Sequence, residues 1–119
     1  MLHNNMQLKY CILTMDKVFK ALADSTRRRM LDCLYTEQGL TLTQLVAEAD
    51  MTRQSATRHL NVLEDAGLVV TVWEGREKLH YLNPVPLAEI SHRWIDKFSK
   101  DRTKAVLALK KALEESSNE

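Results

Sequence analysis

The stretch that decides the fold is TRQSATRHLNVLEDAGLV, which runs from residue 52 to residue 69. Three apolar residues recur along it at helical spacing and turn one helix face toward a core: Ala56, Leu60 and Leu63. Thr52 stands where an N-cap is expected, because its hydroxyl can accept a hydrogen bond from the first helical turn. Gly67 followed by Leu68 is typical of a helix C-terminus, where glycine adopts the left-handed conformation. The stretch therefore predicts a capped, amphipathic helix.

A second, shorter helix is predicted immediately before it. The tetrapeptide TLTQ, residues 41–44, has the spacing of a capping box, with Thr41 as the N-cap and Gln44 at the third helical position. The inward-facing residues of this helix are Leu45, Val46 and Ala49. The next two residues leave room only for a turn. Residues 41–67 thus predict a helix-turn-helix.

A β-hairpin is predicted directly behind the helix-turn-helix. Residues 69–73 are β-branched or aromatic, residues 74–77 (EGRE) form a turn, and residues 78–82 alternate polar and apolar side chains. A hairpin in this position is called a wing, and we expect it over about residues 69–82. The expected fold is mainly α with a small β-hairpin, a winged helix-turn-helix.

Helical patterns flank this unit on both sides. Upstream, a helix is predicted over residues 15–23, and a second one follows with Asp24 or Ser25 as its cap. Downstream, we expect a long helix over about residues 86–115. A kink or break is allowed between Ser99 and Lys104, because no apolar residue occurs there.

The chain is predicted to hold one winged-helix domain, residues 15–119, since 119 residues bury enough surface for one core. Residues 1–14 show no capped periodic pattern: either they come from an upstream start choice, with Met15 as the natural start, or they are an added strand or flexible arm. Two cysteines suit a reducing compartment. No apolar run approaches ~18 residues, and no signal-peptide pattern opens the chain. We therefore expect a cytoplasmic protein without membrane contact.

The helix that follows Thr52 carries side chains of the types that contact nucleic acids. Arginine pairs with guanine, glutamine with adenine, and serine or threonine with either, while a helix N-terminus favours a phosphate. The residues expected to contact DNA here are Thr52, Arg53, Gln54, Ser55, Thr57, Arg58 and His59. A solvated polar helix face is the alternative interpretation, and the order of elements around the helix favours DNA.

Basic residues outside this helix have two interpretations each. Arg76 and Lys78 near the wing tip would reach a flanking backbone or minor groove, or belong to a solvated turn beside glutamates. The three arginines at residues 27–29 would contact the DNA backbone or form salt bridges between helices. The net charge is only +1, yet residues 52–61 hold two arginines, one histidine and no acid. We therefore expect weak non-specific DNA binding and affinity that depends on the matched site.

Three stretches resemble the ArsR-type winged-helix transcriptional regulators of bacteria: VFKALADSTRRRML (18–31), TRQSATRHLNVLEDAGLV (52–69) and LHYLNP (79–84). The resemblance implies a homodimeric DNA-binding repressor whose first and last helices form the dimer interface. The expected interface residues are Val18, Phe19, Leu22, Leu87, Ile90, Trp94, Phe98 and Leu109. Two recognition helices related by a two-fold axis would read a palindromic operator with half-sites about 34 Å apart.

Many members of this family respond to metals, so the positions of their ligands are compared with this chain. The family's Cys-x-Cys thiol site falls here on Thr41 and Thr43, which cannot act as soft ligands. A second site, built from Asp and His, falls on residues that are not ligands: Pro84, Pro86, Lys97 and Lys100. We therefore expect no metal site and no cofactor, and the sequence names no effector.

The remaining potential ligands lack a motif. Glu89 and His92 have the i, i+3 spacing of di-iron proteins, but such sites need two of these pairs. Cys33 lies beside an apolar stripe and is interpreted as a small buried hydrophobe. A thiol switch at Cys33, or a redox pair with Cys11, is the alternative.

The sequence contains no HExxH, GxSxG, GxGxxG or GxxxxGK[ST] pattern, so we predict that the chain is not an enzyme. The leading hypothesis is a sequence-specific DNA-binding transcriptional regulator that controls its own or a neighbouring gene. One rival is an effector-responsive sensor of the same fold. The other is a winged-helix module kept for protein contact, acting as an antitoxin-like partner.

Overall fold

The computed structural model of the chain describes residues 15–95 and 100–117, which form six helices and one two-stranded sheet. α1 covers residues 15–22. The other elements are α2 Ser25–Thr36, α3 Leu42–Ala49, α4 Arg53–Asp65, β1 Val69–Glu74, β2 Glu77–Leu82, α5 Val85–Trp94 and α6 Lys100–Ser117. The chain forms two compact units, and the boundary between them lies between Leu87 and Ala88. The predicted winged helix-turn-helix is confirmed.

Side chains cap three of the helices at their N-termini. Asp24 caps α2 by accepting a hydrogen bond from the Arg27 backbone N–H at 3.1 Å. Thr41 and Gln44 form both bonds of the predicted capping box at the start of α3, at 3.2 and 2.9 Å. Thr52 caps α4 by accepting from the Ser55 N–H at 3.1 Å. These bonds satisfy donors that a helix start otherwise leaves open.

The core of the first unit contains the residues that helical spacing placed inward. Its largest fully buried side chains are Met30, Leu34, Leu45, Leu63, Leu68 and Val18. Ala56, Leu60 and Ala49 are also buried, as predicted, whereas Val46 is half-buried. Val18, which was expected at the dimer interface, is 2% exposed in the single chain. It lies on the face of α1 that packs into the core, so it leaves almost no surface for a partner to cover.

A tight turn joins the two helices of the helix-turn-helix. Asp50 follows α3 in the left-handed conformation, with a φ of +50°, and its N–H donates to the Val46 carbonyl. Arg29 of α2 donates from Nη2 to the Ala49 carbonyl at 3.0 Å. This bond satisfies an acceptor at the end of α3 and fastens the turn to α2.

The wing is a tighter hairpin than the sequence predicts. β1 and β2 pair antiparallel up to Glu74 and Glu77, so these two glutamates belong to the strands and not to a four-residue turn. Gly75, with a φ of +64°, and Arg76 alone make the turn. Two-residue hairpin turns need positive φ at a central position, which glycine adopts without strain.

The other edge of β2 is joined to the segment between α2 and α3. Leu40 and His80 form a bridge in which the His80 N–H donates to the Leu40 carbonyl at 2.8 Å. The His80 ring is buried, and its Nδ1 lies 2.9 Å from the same carbonyl oxygen. The base of the wing is therefore anchored next to the N-terminus of α3.

The C-terminal part contains two described helices where the sequence predicts one long helix with an allowed break. α5 ends at Trp94, and α6 is already helical from Lys100, so the helix is intact across residues 100–104 of the predicted gap. Residues 96–99, including the expected interface residue Phe98, lie outside the described residues. Within residues 15–95 and 100–117, the structure contains no helix that is both long enough and apolar enough to cross a membrane.

Candidate DNA interface

The exposed side of α4 presents a continuous polar surface. Its residues, which we call the recognition face, are Arg53, Gln54, Thr57, Arg58 and Asn61. They occupy the side of the helix opposite the buried stripe of Ala56, Leu60 and Leu63, because the two sets are offset along the 3.6-residue repeat. Four of the seven residues predicted on this helix therefore lie together, facing outward.

The other three predicted residues of this helix have different places. Thr52 is exposed, and its hydroxyl oxygen accepts the capping hydrogen bond from the Ser55 N–H. Ser55 itself is half-buried. His59 is also half-buried, and its Nδ1 lies 3.3 Å from Nη1 of Arg27 on α2. His59 was expected to face the major groove. It packs sideways instead, because it comes three residues after the buried Ala56 and shares the edge of that stripe.

Two hydrogen bonds organise the recognition face. Arg53 Nη1 donates to Thr43 Oγ1 at 3.2 Å, which links the first turn of α4 to α3. Thr57 Oγ1 donates to the Arg53 carbonyl one turn earlier, at 2.9 Å. The guanidinium of Arg53 is thus held in position while it stays exposed to solvent.

The two basic residues of the wing differ from each other. Arg76 is exposed at the tip, as the sequence led us to expect. Lys78 is half-buried, and its Nζ lies 3.4 Å from Oε1 of Glu64, near the C-terminus of α4. Lys78 therefore does not extend freely along the wing, since Glu64 already provides a counter-charge. The Glu64 oxygen is shielded from solvent.

A cleft of about 360 Å³ separates α4 from the wing, and we call it the wing cleft. The helical side contributes Arg53, Thr57 and Asn61. The wing contributes Trp73, Arg76 and Lys78, and Thr43 of α3 lies at one end. Hydrogen-bonding groups from three elements and one large aromatic ring thus surround the cleft.

The three arginines at the start of α2 have a structural role. Arg27 donates from Nε to the Ala21 carbonyl at 2.8 Å and from Nη2 to the Lys20 carbonyl at 3.0 Å. Arg28 Nη1 donates to the Leu22 carbonyl at 2.6 Å. With Arg29 at the end of α3, they satisfy carbonyls at helix C-termini, where cations are also favoured by the helix dipole. Of the two interpretations of these arginines, the structure favours contacts between helices.

The expected interface residues differ in exposure. Phe19, Trp94 and Leu109 are 44%, 46% and 61% exposed, which is high for large apolar side chains. Leu22, Leu87 and Ile90 are half-buried. The Trp94 ring has the Arg93 guanidinium 5.6 Å from its centroid. Apart from Val18, each described member therefore keeps some surface that a partner can cover.

The surroundings of Cys33 disfavour its thiolate form. Cys33 is half-buried, and burial together with nearby Glu48 raises the pKa of its thiol above the usual value, so less thiolate is present at neutral pH. Cys11 lies outside the described residues. Within the part of the chain that the structure describes, no group of three His, Cys, Asp or Glu side chains is placed to hold a metal ion.

Sequence reasoning missed three residues that line the wing cleft. Asn61 follows Thr57 by four positions, so extending the polar stripe by one turn would have found it. Thr43 was considered only as a metal-site position, although it directly follows a helix start. Trp73 was used as evidence for a strand, and only the structure shows that its ring borders the cleft.

This geometry, a helix-turn-helix with a polar exposed helix and a wing beside it, defines the class of winged helix-turn-helix DNA-binding proteins. Residues 22–72 match the family described as a helix-turn-helix domain. The chain is 41% identical to the uncharacterized HTH-type transcriptional regulator YuzN of Bacillus subtilis, over 68% of this chain and 95% of that protein. It is 31% identical to the transcriptional repressor SdpR of the same organism, over 71% of this chain and 91% of SdpR.

Solved structures give the same family. An ArsR-like transcriptional regulator from Rhodococcus sp. RHA1 superposes with a TM-score of 0.64 at 27% identity, covering 87% of this chain and 93% of the other. The chain belongs to the ArsR-type family of winged helix-turn-helix transcriptional regulators. Its relatives are regulators, in agreement with the prediction that the chain is not an enzyme.

Proposed function

We propose that the protein is a homodimeric repressor that binds a palindromic operator in the cytoplasm and controls its own or a neighbouring gene. The observation that carries the proposal is the recognition face. There, two arginine side chains, one glutamine, one asparagine and one threonine point outward from the same helix. Such side chains read base edges in the major groove, which admits a single α-helix. The similarity to a protein named as a repressor supports repression over activation.

The distribution of charge supports specific binding to DNA. The two acids at the end of α4 each lie close to a lysine: Glu64 near Lys78, and Asp65 with its Oδ2 3.5 Å from Lys17 Nζ. The recognition face itself contains two guanidinium groups and no acid. A positive surface within a nearly neutral chain favours phosphate contacts at one place without strong attraction elsewhere.

Exposed apolar side chains support a homodimer. Val106, Leu109 and Leu113 follow one another at helical spacing along α6, and each is more than 60% exposed. Such a stripe on an otherwise charged helix is typical of a surface that packs against another helix. We infer that a second copy of the chain covers this stripe. A symmetric dimer would also explain recognition of a palindrome, because its two recognition faces would lie about one DNA turn apart.

The experiment that tests the proposal measures binding of the purified protein to its own upstream region and to a random duplex of equal length. Fluorescence anisotropy at two salt concentrations gives the affinity and the number of phosphate contacts, and sedimentation of the same sample gives the oligomeric state. We expect a dimer that binds the upstream region more tightly than the random duplex. Equal, weak binding to both duplexes would favour the protein-contact module and would contradict the proposal.

A further inference from the structure

Trp73 is a large aromatic residue that the fold leaves on the surface of the wing. Its side chain is 66% exposed, although a ring of this size is usually among the more buried in a small domain. It pairs across the hairpin with Lys78, two positions beyond the Thr71–His80 pair. Because side chains alternate along a strand, Trp73 shares the sheet face of the buried His80. That face is directed toward the helices, and the ring borders the wing cleft.

The surroundings of the ring are suited to a sugar-phosphate backbone. Arg53 and Arg76 line the cleft with the ring, and Asn61 lies on the helical side. The cleft of about 360 Å³ is also lined by Glu64, whose Oε1 lies 3.4 Å from Lys78 Nζ, and by Glu77. The aromatic ring offers an apolar contact, and the two arginines offer counter-charges for phosphates. Deoxyribose has an apolar face that can pack on an aromatic ring, and the phosphates on either side of it carry negative charge.

We propose that Trp73 is a DNA-contact residue that packs against a deoxyribose of the strand running through the wing cleft. One strand of a duplex separates each major groove from the adjacent minor groove. With α4 in the major groove and the wing tip at the neighbouring minor groove, that strand must pass between them, where the ring lies. The inference rests on the proposed function and adds a contact that is apolar, central and independent of base identity.

The wing supplies a matched control for this contact. Val72 is the preceding residue of the same strand and is 53% exposed, but it pairs with Leu79 on the opposite face of the hairpin. Truncation of Val72 removes exposed apolar surface from the same strand without touching the cleft. Any general weakening of the wing should therefore appear in Val72→Ala as well as in Trp73→Ala.

The test compares the wild type with Trp73→Ala, Trp73→Phe and Val72→Ala in anisotropy titrations on operator and random duplexes. We expect Trp73→Ala to bind both duplexes about tenfold more weakly, equivalent to ~1.4 kcal/mol. The slope of log affinity against log salt should not change, because the ring neutralises no phosphate. Trp73→Phe should keep most of the affinity, and Val72→Ala should bind like the wild type.

Tryptophan fluorescence provides a second readout that does not depend on the stability of the Ala variant. The chain has two tryptophans, so the difference between the wild type and Trp73→Phe isolates the emission of Trp73. We expect this difference to change on addition of DNA. A wild type that binds no DNA would refute the proposed function. The inference alone would be refuted if the wild type binds DNA but two results go against it. These are a Trp73 emission that DNA does not change and equal DNA affinities of Trp73→Ala and Val72→Ala.

Discussion

Replacing Glu64 by glutamine should make the protein bind DNA more tightly. Glu64 lies at the end of α4 with its Oε1 3.4 Å from Lys78 Nζ, so it competes with DNA phosphates for the lysine charge. Glutamine keeps the size and shape of the side chain but removes the negative charge. Lys78 is then available to a phosphate of the strand in the wing cleft.

The magnitude follows from counterion release. Each phosphate neutralised by a cation adds about 0.9 to the slope of log affinity against log salt. When the salt concentration is lowered from 1 M to about 0.15 M, one additional phosphate contact therefore raises the logarithm of the affinity by roughly 0.7. This corresponds to about fivefold tighter binding than without that contact. The cost in folding is small, because an ion pair at a partly exposed site contributes at most ~1 kcal/mol.

Asp65→Asn is the matched control, since it changes the net charge by the same amount. Asp65 pairs with Lys17 of α1 and does not line the wing cleft. Anisotropy titrations over a range of salt should show a steeper slope for Glu64→Gln than for Asp65→Asn or the wild type. Adding Lys78→Ala to Glu64→Gln should abolish the gain. Equal slopes for the two charge variants would refute the reasoning, because the effect would then come from net charge.

Four further predictions follow from other contacts. Arg58→Ala should weaken operator binding by ~1–3 kcal/mol if the guanidinium pairs with a base, and random duplex by less; equal losses in the two titrations would reduce it to a phosphate contact. Thr41→Ala should lower the free energy of unfolding by ~1 kcal/mol in urea titrations, because the Gln44 backbone N–H loses the threonine hydroxyl that accepts its hydrogen bond; an unchanged midpoint would contradict this role. Leu109→Glu should shift the protein toward monomer in sedimentation, and a dimer as stable as the wild type would remove α6 from the interface. A backbone hydrogen bond from Arg27 holds the pKa of Asp24 below its usual value, so ionised Asp24 stabilises the fold above its unfolded pKa of about 3.9, and this stabilisation is lost as the pH falls through the folded pKa. The difference in the free energy of unfolding between the wild type and Asp24→Asn should therefore change as the pH falls below about 4, and a difference that is independent of pH would exclude the linkage.

Local chemistry explains which parts of the fold were predictable. Thr41 and Thr52 cap helices through bonds to residues three positions away, so their roles depend only on nearby sequence. The buried stripe of α4 follows from helical spacing in the same way. Thus the helix-turn-helix, the wing and most of the recognition face could be read from short windows of sequence.

The corrections concern side chains whose partners are distant in sequence. His59 contacts Arg27, which is 32 positions away, and Arg29 reaches a carbonyl 20 positions away. Lys78 pairs with Glu64 on another element. A pattern of charges shows which side chains are polar, but only the packing of elements shows whether a charge is available to a ligand.

Arg27 links α4, the helix that bears the recognition face, to α1. Its guanidinium donates to the carbonyls of Lys20 and Ala21 near the end of α1 and lies 3.3 Å from the His59 ring of α4, so this one side chain contacts both helices. If α1 belongs to the dimer contact and α4 enters the major groove as proposed, a tilt of one subunit against the other would reach α4 through these contacts of Arg27. The distance between the two α4 helices, and with it the operator spacing that the dimer accepts, would then depend on the hydrogen bonds of Arg27.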